Sequence, residues 1–570
     1  MKLTWKIQQS DQDTVSDLTR QMGLHPLTAR LLNNRSIFSQ EEAERFLRPS
    51  LKDLPPPGLL KDIDVASARI VAALENKEEI LIFGDYDVDG ITATSLLYKF
   101  LQNAGARISY YIPNRITEGY GLKPLHITSC ALNRKTKLII TVDCGSTSHE
   151  AIRAARQFNI DVIVTDHHEL PDELPDALAV INPKRNDSAA GLGNLAGVGV
   201  AFYLIIRLRM QLRETGYWRG KKEPNLKKAC DLVALGTVAD VVPMVNANRI
   251  LTRAGLDELK TRGNGGVRIL MEQCGIDKRY MDAADISFKL APRLNAAGRL
   301  AHADAAMALL TSDNPQDAAK HADHLHALNL KRREMEQEIL EEIDARLNRH
   351  PLNAKTNIIL LHGRNWHVGL LGIVASRLVG RFARPVIILT LEGDIAKGSA
   401  RSIPGIDLAS LLSACTQHLI SHGGHAMAAG LQLQAEKIAG FRDAIEQCVE
   451  KIIGKDMAAP SLEIDTDLDF REISRSFIDE MEFLKPFGEK NPEPLFAAEN
   501  VRVTQSKTLS GGHRRMTLKQ AQGRSFQAIH FNPAPDLASL DFFRKVAYRL
   551  QVNRWNGKEN IQLVIEDILN

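Results

Sequence analysis

The chain has 570 residues, of which 25% are charged and 44% hydrophobic, and its formal net charge is +3. This length exceeds what a single hydrophobic core organises, so we expect three or four domains. No apolar run approaches a membrane span, the N-terminus lacks the layout of a signal peptide, and the six cysteines contain no CxxC pair, which together predict a cytoplasmic protein with reduced thiols.

Residues 1–50 predict a polar, partly helical lead-in, and Pro55 to Gly58 (PPPG) mark a stiff break after it. The first large domain, residues 51–314, opens with a β-branched and aromatic run at Ile80 to Phe83. That run predicts a buried strand, and a helical pattern begins at Ile91.

Three acids alternate between this strand and this helix: Asp85, Asp87 and Asp89. Carboxylates this close together repel one another unless a cation neutralises them, which indicates a hard metal ion. The alternative is an acidic turn that caps the helix N-terminus. One aspartate would be enough for a cap, so three favour the metal.

Further strands are predicted at 106–113, 137–145 and 161–165, with helices between them. Strands that alternate with helices predict an α/β fold with a doubly wound parallel sheet. Two of these strands deliver Asp143 and the group Asp166, His167 and His168 at their carboxyl ends. Ligands of such sheets bind beyond the carboxyl ends of the strands, so we expect these side chains to meet the loop acids there.

Asp240 lies in an otherwise apolar segment, residues 232–243. A buried lone carboxylate is costly unless it is paired or metal-bound, although an aspartate that caps the next turn is an alternative. Carboxylates with imidazoles and without thiolates suit Mn²⁺ or Mg²⁺. Asp143 could bridge two such ions. The alternative for His167 and His168 is a pair of surface histidines whose hydrogen bonds are satisfied without a metal.

Residues 315–350 contain no Gly or Pro after their start and predict a connector helix of roughly 34 residues, about 50 Å long. Its charged composition favours a solvated spacer that leaves a cleft between the bodies it joins. A second α/β domain is expected at 351–458. The glycines of Ser421 to Gly430 would let backbone N–H groups approach a phosphate, the alternative being a tight turn between helices. A zinc site at His422 and His425 is rejected because no third ligand lies nearby.

Short alternating runs fill residues 459–570, with turns at Ser510 to Gly512 and at Asn556–Gly557, and predict a small β-barrel. Residues 501–570 contain 11 Lys/Arg against 5 Asp/Glu. A basic barrel with interleaved aromatic rings fits an OB-like, single-strand-binding barrel. Those rings are Phe526, His530, Phe531, Tyr548 and Trp555. Some of them must instead form the barrel core.

Four motifs in order, DYDVDG, VDCG, DHH and GTVADVVP, resemble the DHH phosphoesterase superfamily. Residues 295–299, 398–402 and 421–430 look like its DHHA1 accessory domain. Together with residues 113–122 they resemble the branch of single-strand-specific DNA exonucleases. The resemblance runs from about Leu81 to Gly430, and more loosely to the C-terminus.

This resemblance implies that one metal is held by Asp89, Asp143, His167 and Asp240, and a second by Asp85, Asp87 and Asp143. Asp166 would orient the histidines, and His168 would contact the scissile phosphate. The residues implied for catalysis are Asp87, Asp89, Asp143, Asp166, His167, His168 and Asp240. Those implied for binding the 5′-phosphate and DNA are Arg115, Tyr120, Arg299, Ser399, Arg401, Gly423, Gly424 and His425.

The function implied is a metal-dependent 5′→3′ exonuclease on single-stranded DNA, acting in repair and recombination by two-metal hydrolysis with Mn²⁺ or Mg²⁺. The resemblance further implies a monomer that works with a single-strand-binding protein and a RecQ-type helicase. Two alternatives are a phosphodiesterase on short oligonucleotides or cyclic dinucleotides and a catalytically inactive replication scaffold. The basic barrel opposes the first, and the retained acids oppose the second.

Overall fold

The computed structural model describes residues 3–188, 191–353, 356–453, 461–534, 537, 539–555 and 558–570. The chain divides into two compact units. One contains Pro56–Asp240 with Gly255–Ala458, and the other contains Met1–Pro55, Val241–Ala254 and Ala459–Asn570.

The elements of the lead-in are β1 (Thr4–Ile7), α1 (Gln12–Met22), α2 (Pro26–Asn33) and α3 (Gln40–Leu47). Those that follow, up to the connector, are α4 (Ile63–Glu75), β2 (Glu79–Gly84), α5 (Val88–Asn103), β3 (Arg107–Tyr111), α6 (Pro124–His126), β4 (Leu138–Val142), α7 (His149–Gln157), β5 (Asp161–Thr165), β6 (Ala179–Ile181), α8 (Gly197–Glu214), α9 (Cys230–Ala239), α10 (Asn246–Thr261), α11 (Gly265–Gln273), α12 (Ala283–Asp285), α13 (Ala291–Leu300) and α14 (Asp304–Thr311).

Strands β2 to β6 form one parallel sheet in the order β3-β2-β4-β5-β6, which confirms the predicted parallel architecture. The apolar runs of β2, β4 and β5 are buried, and Leu81 and Ile139 pack in one cluster with Ile152 of α7. The register pairs Gly84 with Val142 and Val142 with Thr165. The loops that follow these three strands therefore start side by side at one edge of the sheet.

The connector is α15 (Pro315–Arg349), a helix of 35 residues, so its predicted existence and length are confirmed. The prediction of a solvated spacer is wrong, because one stripe of the helix is buried. Ile339 and Ile343 pack in a cluster with Leu371 and Val374. Burial of apolar side chains along this stripe, rather than charge along its surface, fixes the helix in place.

The accessory domain contains β7 (Ile359–Arg364), α16 (Leu371–Phe382), β8 (Val386–Glu392), β9 (Ile395–Arg401), α17 (Leu408–Ala414), β10 (Ser421–Gly424), β11 (Ala428–Gln434) and α18 (Ile438–Ile453). Its sheet has the order β10-β11-β9-β8-β7. The glycine-rich stretch is the β10–β11 hairpin, so the alternative of a turn between helices is wrong.

The C-terminal region contains β12 (Ser461–Ile464), β13 (Thr466–Asp467), α19 (Arg475–Met481), β14 (Phe496–Thr508), β15 (Arg514–Lys519), β16 (Phe526–His530), β17 (Phe542–Trp555) and β18 (Lys558–Leu569). Strands β14-β15-β16-β18-β17 follow one another, and β17 pairs back with β14, which closes a five-stranded barrel. The predicted barrel is confirmed. The predicted turn at Asn556–Gly557 and the side chain of Trp555 lie outside the described residues.

The lead-in is built into the barrel unit. Strand β1 pairs in parallel with β12, and Leu18 and Leu31 share one buried cluster with Phe477 and Phe543. The sequence does not predict this contact, because the two segments are more than 400 residues apart. The boundaries of the predicted domains stay predictions.

The barrel aromatics fall into two groups. Phe526, His530 and Tyr548 are buried, so the core interpretation holds for these three and a base-stacking role is wrong. Phe531 is 52% exposed. In the part of the chain that the structure describes, no helix is both long and apolar enough to cross a membrane. The six cysteines, all within the described residues, are free.

Candidate metal centre and phosphate-binding cluster

Asp143 follows β4 directly and has a left-handed backbone conformation, with φ of 60°. Its N–H donates to the Thr165 carbonyl at 3.0 Å, which ties the turn to the neighbouring strand. A non-glycine residue in this region is strained, and such strain persists where the surroundings over-determine it, commonly at functional sites. The turn aims the Asp143 carboxylate across the ends of the strands.

Two of the three acids that follow β2 accept hydrogen bonds from backbone N–H groups. Asp87 caps α5, since its Oδ1 accepts the Gly90 N–H at 3.1 Å, so the capping alternative holds for this one residue. Asp89 instead accepts the N–H groups of Gly197 and Val198 at 2.6 and 2.9 Å. These donors form the N-terminus of α8, whose dipole favours a negative charge.

Six of the predicted ligands converge, together with His168, at this edge of the sheet. Their ligand atoms form three groups within which all atoms lie within 4.8 Å of one another. The groups are Asp89, His167 and Asp240; Asp85, Asp87 and Asp143; and Asp143, His167 and His168. The first group contains three of the four residues predicted for one metal, without Asp143, and the second contains the three predicted for the other. Asp143 belongs to the second and third groups.

Three buried polar atoms in this cluster make no hydrogen bond to any described residue: Oδ1 of Asp85, Oδ1 of Asp143 and Nε2 of His167, the last two only 3.1 Å apart. Buried polar atoms without a hydrogen bond are costly, and a cation held between such atoms would satisfy them. His167 also bonds to the backbone of Leu195, which leaves the Nε2 lone pair facing the acids. Oxygen and imidazole donors of this kind fit Mn²⁺ or Mg²⁺.

Burial is the largest cause of the pKa shifts in the cluster, and repulsion from neighbouring carboxylates adds to it. Burial and Asp87 raise the pKa of Asp89 to about 7, and burial and Asp89 raise the pKa of Asp240 to about 9. The pKa values of Asp85 and Asp143 are raised well above their usual range for the same reasons. Burial and the charge of His168 lower the pKa of His167 to about 3, which keeps this ligand neutral.

Asp166 orients His168. Its Oδ1 lies 2.8 Å from His168 Nδ1, and its Oδ2 accepts the Ser146 N–H at 2.9 Å. Burial opposes both charges, yet the hydrogen bond between them raises the pKa of His168 to about 9 and lowers that of Asp166. The hydroxyl of Tyr120 lies 3.0 Å from the same Nδ1 and donates to the Asp143 carbonyl at 3.2 Å. Tyr120, implied as a DNA contact, thus lies at the metal centre.

The predicted phosphate-binding residues also converge. The Arg115 guanidinium lies 4.9 Å from the Tyr86 ring centroid, and Arg401 Nη1 lies 3.1 Å from the Ser399 hydroxyl. Burial and the charge of Arg115 lower the pKa of Arg299 to about 10, and the same two causes lower the pKa of Arg401. Three arginines from three distant segments therefore form one cluster of like charge, which predicts an anionic ligand.

The β10–β11 hairpin extends from this cluster to the metal centre. Ser399 pairs with Gly430, which pairs with Gly423, so these residues lie side by side on β9, β11 and β10. At the tip, the ring of His425 stacks at 6.5 Å between centroids on His168. Gly424 has φ of 142°, a conformation that side chains rarely adopt.

Sequence reasoning missed two glycines that shape the metal centre. A Cβ on Gly197 would lie 2.6 Å from Asp143 Oδ1, and one on Gly236 would lie 2.7 Å from Asp89 Oδ1. Both belong to helices, α8 and α9, where glycine is otherwise unfavourable. For Gly236, an isolated glycine within an apolar helical pattern was the signal that could have found it, whereas Gly197 lies two residues before Gly199 and gave no such signal.

Comparison with known proteins agrees with this geometry. Residues 79–237 match the model of the DHH family, N-terminal domain, residues 355–451 match the DHHA1 domain, and residues 464–567 match the RecJ OB domain. The fold and the site therefore define a phosphoesterase of the DHH class.

Relatives that match along the whole of this chain narrow this class. The chain is 37% identical to the single-stranded-DNA-specific exonuclease RecJ of Salmonella typhimurium, over 100% of both chains. It is 35% identical to the enzyme of that name from Bacillus subtilis, over 99% of this chain and 71% of the relative. The crystal structure of RecJ in complex with Mn²⁺ from Thermus thermophilus matches with a TM-score of 0.84 and 27% identity, over 100% of this chain and 79% of that one. The chain belongs to the RecJ family.

Proposed function

We propose that the protein is a metal-dependent exonuclease that degrades single-stranded DNA from its 5′ end. The observation that carries the proposal is the convergence, at the carboxyl edge of the sheet, of three buried atoms that make no hydrogen bond to any described residue, on Asp85, Asp143 and His167. The names of the full-length relatives, single-stranded-DNA-specific exonucleases, support the substrate class.

One ion would be held by Asp89, Asp143, His167 and Asp240, and a second by Asp85, Asp87 and Asp143. Two divalent cations, Mn²⁺ or Mg²⁺, would activate water and neutralise the phosphate charge. His168 donates a hydrogen bond to a non-bridging oxygen of the scissile phosphate. Asp166 keeps the proton on His168, and Tyr120 limits the rotation of its ring, so the donor is in position before the substrate binds.

Arg115, Arg299, Ser399 and Arg401 bind the terminal 5′-phosphate. A terminal phosphate carries more negative charge than an internal diester, so clustered guanidinium groups prefer an end to a continuous backbone. Gly423, Gly424 and His425 on the hairpin would contact the strand between this pocket and the metal centre. Anchoring the end here would fix which phosphodiester bond reaches the metals.

The barrel would bind further nucleotides of the single strand. Arg515 and Lys519 on β15 are exposed, and the exposed ring of Phe531 lies 5.1 Å, between centroids, from the imidazole of His513. Cations for phosphates beside an exposed aromatic ring suit sequence-independent binding of single strands.

The deciding experiment digests strands labelled at the 5′ or the 3′ end, with a 5′-phosphate or a 5′-hydroxyl, in Mn²⁺ or in chelator. We expect release of label from the 5′ end first, faster with a 5′-phosphate, and no cleavage in chelator. Arg401→Ala and Arg299→Ala should reduce the difference between the two 5′ ends. Release from the 3′ end first would overturn the polarity.

The same assay separates the alternatives. A cyclic dinucleotide offered beside a long strand should be left intact, since it has no terminal phosphate for the arginine cluster. Preferential cleavage of the dinucleotide would favour the small-substrate phosphodiesterase, and no cleavage of any substrate in Mn²⁺ would favour the inactive scaffold.

We further propose that the enzyme acts as a cytoplasmic monomer in DNA repair and recombination, with a single-strand-binding protein and a RecQ-type helicase as partners. Family resemblance supports this proposal. Light scattering of the purified protein tests the monomer, and stimulation of degradation of duplex ends by each purified partner tests the interactions.

A further inference from the structure

The connector helix α15 contains a buried charge network that the proposed reaction does not use. Glu336 is 1% exposed, and its Oε2 lies 2.8 Å from Arg332 Nη1. Its Oε1 lies 2.5 Å from Nε of Arg377, a residue of α16. A carboxylate buried this deeply is retained only when it is paired, so Glu336 and Arg332 form one unit.

Arg332 is held in a single orientation by two neighbours on its own helix. Besides the bond to Glu336, its Nη2 donates to Oδ1 of Asn329 at 3.0 Å, and Asn329 is itself 3% exposed. The side chain of Arg332 is 11% exposed. Its Nε is buried and has no hydrogen-bond partner among the described residues, which leaves this guanidinium short of an acceptor.

The helix that carries this guanidinium also contacts α16, in whose first turn a Cβ on Gly372 would lie 2.7 Å from Arg401 Nη2. Helix α15 packs against α13, which carries Arg299 in its last turn. Among the charges that add to burial in lowering the pKa of Arg299, that of Arg332 ranks after Arg115 and ahead of Arg401. The negative charge of Asp87 opposes this lowering of the Arg299 pKa only in part. Glu336 supplies a buried negative charge to Arg332 and to Arg377.

Arg115, Arg299, Ser399 and Arg401 are called the end pocket below. We propose that Arg332 is a fourth phosphate-binding arginine of this pocket. Asn329 and Glu336 are then positioning residues that hold its guanidinium ready for the terminal phosphate. This inference deepens the proposed function and rests on it. Arg332 would add a donor that discriminates a dianionic phosphate end from a hydroxyl end. It would also make the connector helix part of the binding site rather than only a link between domains.

The test measures binding without cleavage. Fluorescence anisotropy in excess chelator gives the affinity of a short labelled strand with a 5′-phosphate and of the same strand with a 5′-hydroxyl. Arg332→Gln should lower the ratio of the two affinities at least fivefold and leave the affinity for the hydroxyl end within twofold of wild type. Arg333→Gln, at the exposed neighbouring position, is the matched control and should leave the ratio unchanged.

Two further variants report on positioning. Glu336→Gln keeps the size of the side chain but loses the charge that holds Arg332. It should therefore lower the same ratio of affinities without lowering the affinity for the 5′-hydroxyl strand. Arg332→Lys keeps a cation but not the fork geometry, so it should give a ratio between those of wild type and Arg332→Gln. If the Gln variant does not fold, a wild-type ratio in the Lys variant overturns the inference.

Arg401→Ala in the same assay separates this inference from the proposed function. If Arg401→Ala lowers the ratio and Arg332→Gln does not, the end pocket stands and the role of Arg332 is wrong. If neither variant changes the ratio, the end pocket itself is wrong.

Discussion

Oδ1 of Asp166 lies 2.8 Å from Nδ1 of His168, two residues further along the chain. The same oxygen accepts the backbone N–H groups of His167 and His168 at 2.8 and 3.1 Å. One carboxylate thus fixes the backbone of both histidines as well as one of their rings. This explains how adjacent histidines diverge, so that His167 faces the buried acids and His168 faces the open side of the site.

The first prediction concerns the pKa of His168. Its folded value, about 9, lies above the ordinary value of 6.5, so the protonated pair with Asp166 contributes stability that is complete below pH 6.5 and is lost as the pH rises through about 9. The pKa of Asp166 is lowered, so its share is present above pH 3.8 and is lost as the pH falls through its folded value. NMR titration of the metal-free protein should give a midpoint near 9.

Asp166→Asn should move that midpoint downward, since the substitution removes the negative charge and leaves an amide of similar size. Glu173→Gln, an exposed position on the following loop, is the control and should leave the midpoint unchanged. A midpoint that stays near 9 in Asp166→Asn would show that a group other than Asp166 stabilises the protonated form of His168.

The second prediction concerns proton release on metal binding. The pKa is about 7 for Asp89 and about 9 for Asp240, and those of Asp85 and Asp143 are also raised. The metal-free cluster therefore carries protons at pH 7. A cation favours the ionised carboxylates and displaces those protons. Calorimetric titration with Mn²⁺ in buffers of different ionisation enthalpy should show net proton release at pH 7, and affinity should rise with pH. Uptake of protons, or none released, would contradict the raised pKa values.

The third prediction concerns Asp143→Asn. Asparagine tolerates the left-handed backbone of this residue, so the turn should survive while the negative charge is lost. A carboxylate with a raised folded pKa contributes stability below its unfolded pKa of 3.8 and loses it as the pH rises through the folded value. In chelator at pH 8 the variant should therefore unfold at a higher temperature than wild type, and this difference should shrink toward pH 4.

Activity should fall by far more than tenfold in the same variant, because Asp143 would serve both ions, and Mn²⁺ should no longer raise the unfolding temperature. A tenfold loss corresponds to ~1.4 kcal/mol of activation free energy. Residual activity above about a tenth of wild type would contradict the bridging role of Asp143.

Local patterns are sufficient to predict the catalytic edge of the sheet. The run at Ile80 to Phe83 predicts a strand from its own residues, and the carboxyl ends of parallel strands meet wherever such a sheet forms. These two facts are enough to place Asp85, Asp143 and His167 together from the amino-acid sequence alone.

Contacts between distant segments are not accessible in this way. No residue near Leu18 in the sequence indicates that it packs with Phe543. Helix α15 carries many charged residues, and the sequence does not distinguish the buried pair of Arg332 and Glu336 from the exposed ones. Alternation in the barrel likewise does not decide which aromatic rings face inward, since one residue of register reverses the face.

The fourth prediction concerns the barrel. Arg515→Ala combined with Lys519→Ala should weaken binding to long single strands and reduce the steepness of its salt dependence by about 0.7 per lost phosphate contact. Lys137→Ala, at the amino end of β4 and so at the opposite edge of the sheet from the metal centre, controls for the loss of one positive charge outside the barrel. Filter binding at several salt concentrations gives the slope of affinity against salt concentration for wild type and for the double variant. An unchanged slope in the double variant would place the DNA elsewhere on the protein.

The fifth prediction concerns the close packing between α8 and the metal centre. Gly197 and Gly199 lie two residues apart in the first turn of this helix, and alanine at either position should favour the helix locally. They differ in what a methyl group would meet: Asp143 Oδ1 at 2.6 Å for Gly197, but the movable Leu195 side chain, nearest atom at 3.0 Å, for Gly199. Gly197→Ala should therefore displace the Asp143 carboxylate and weaken Mn²⁺ binding at least tenfold. Gly199→Ala should bind Mn²⁺ within about twofold of wild type, with circular dichroism confirming that both variants fold. Equal affinities in the two variants would mean that the Asp143 carboxylate can move away from Gly197 without loss of the ion, and that the contact between α8 and the metal centre does not set the position of this ligand.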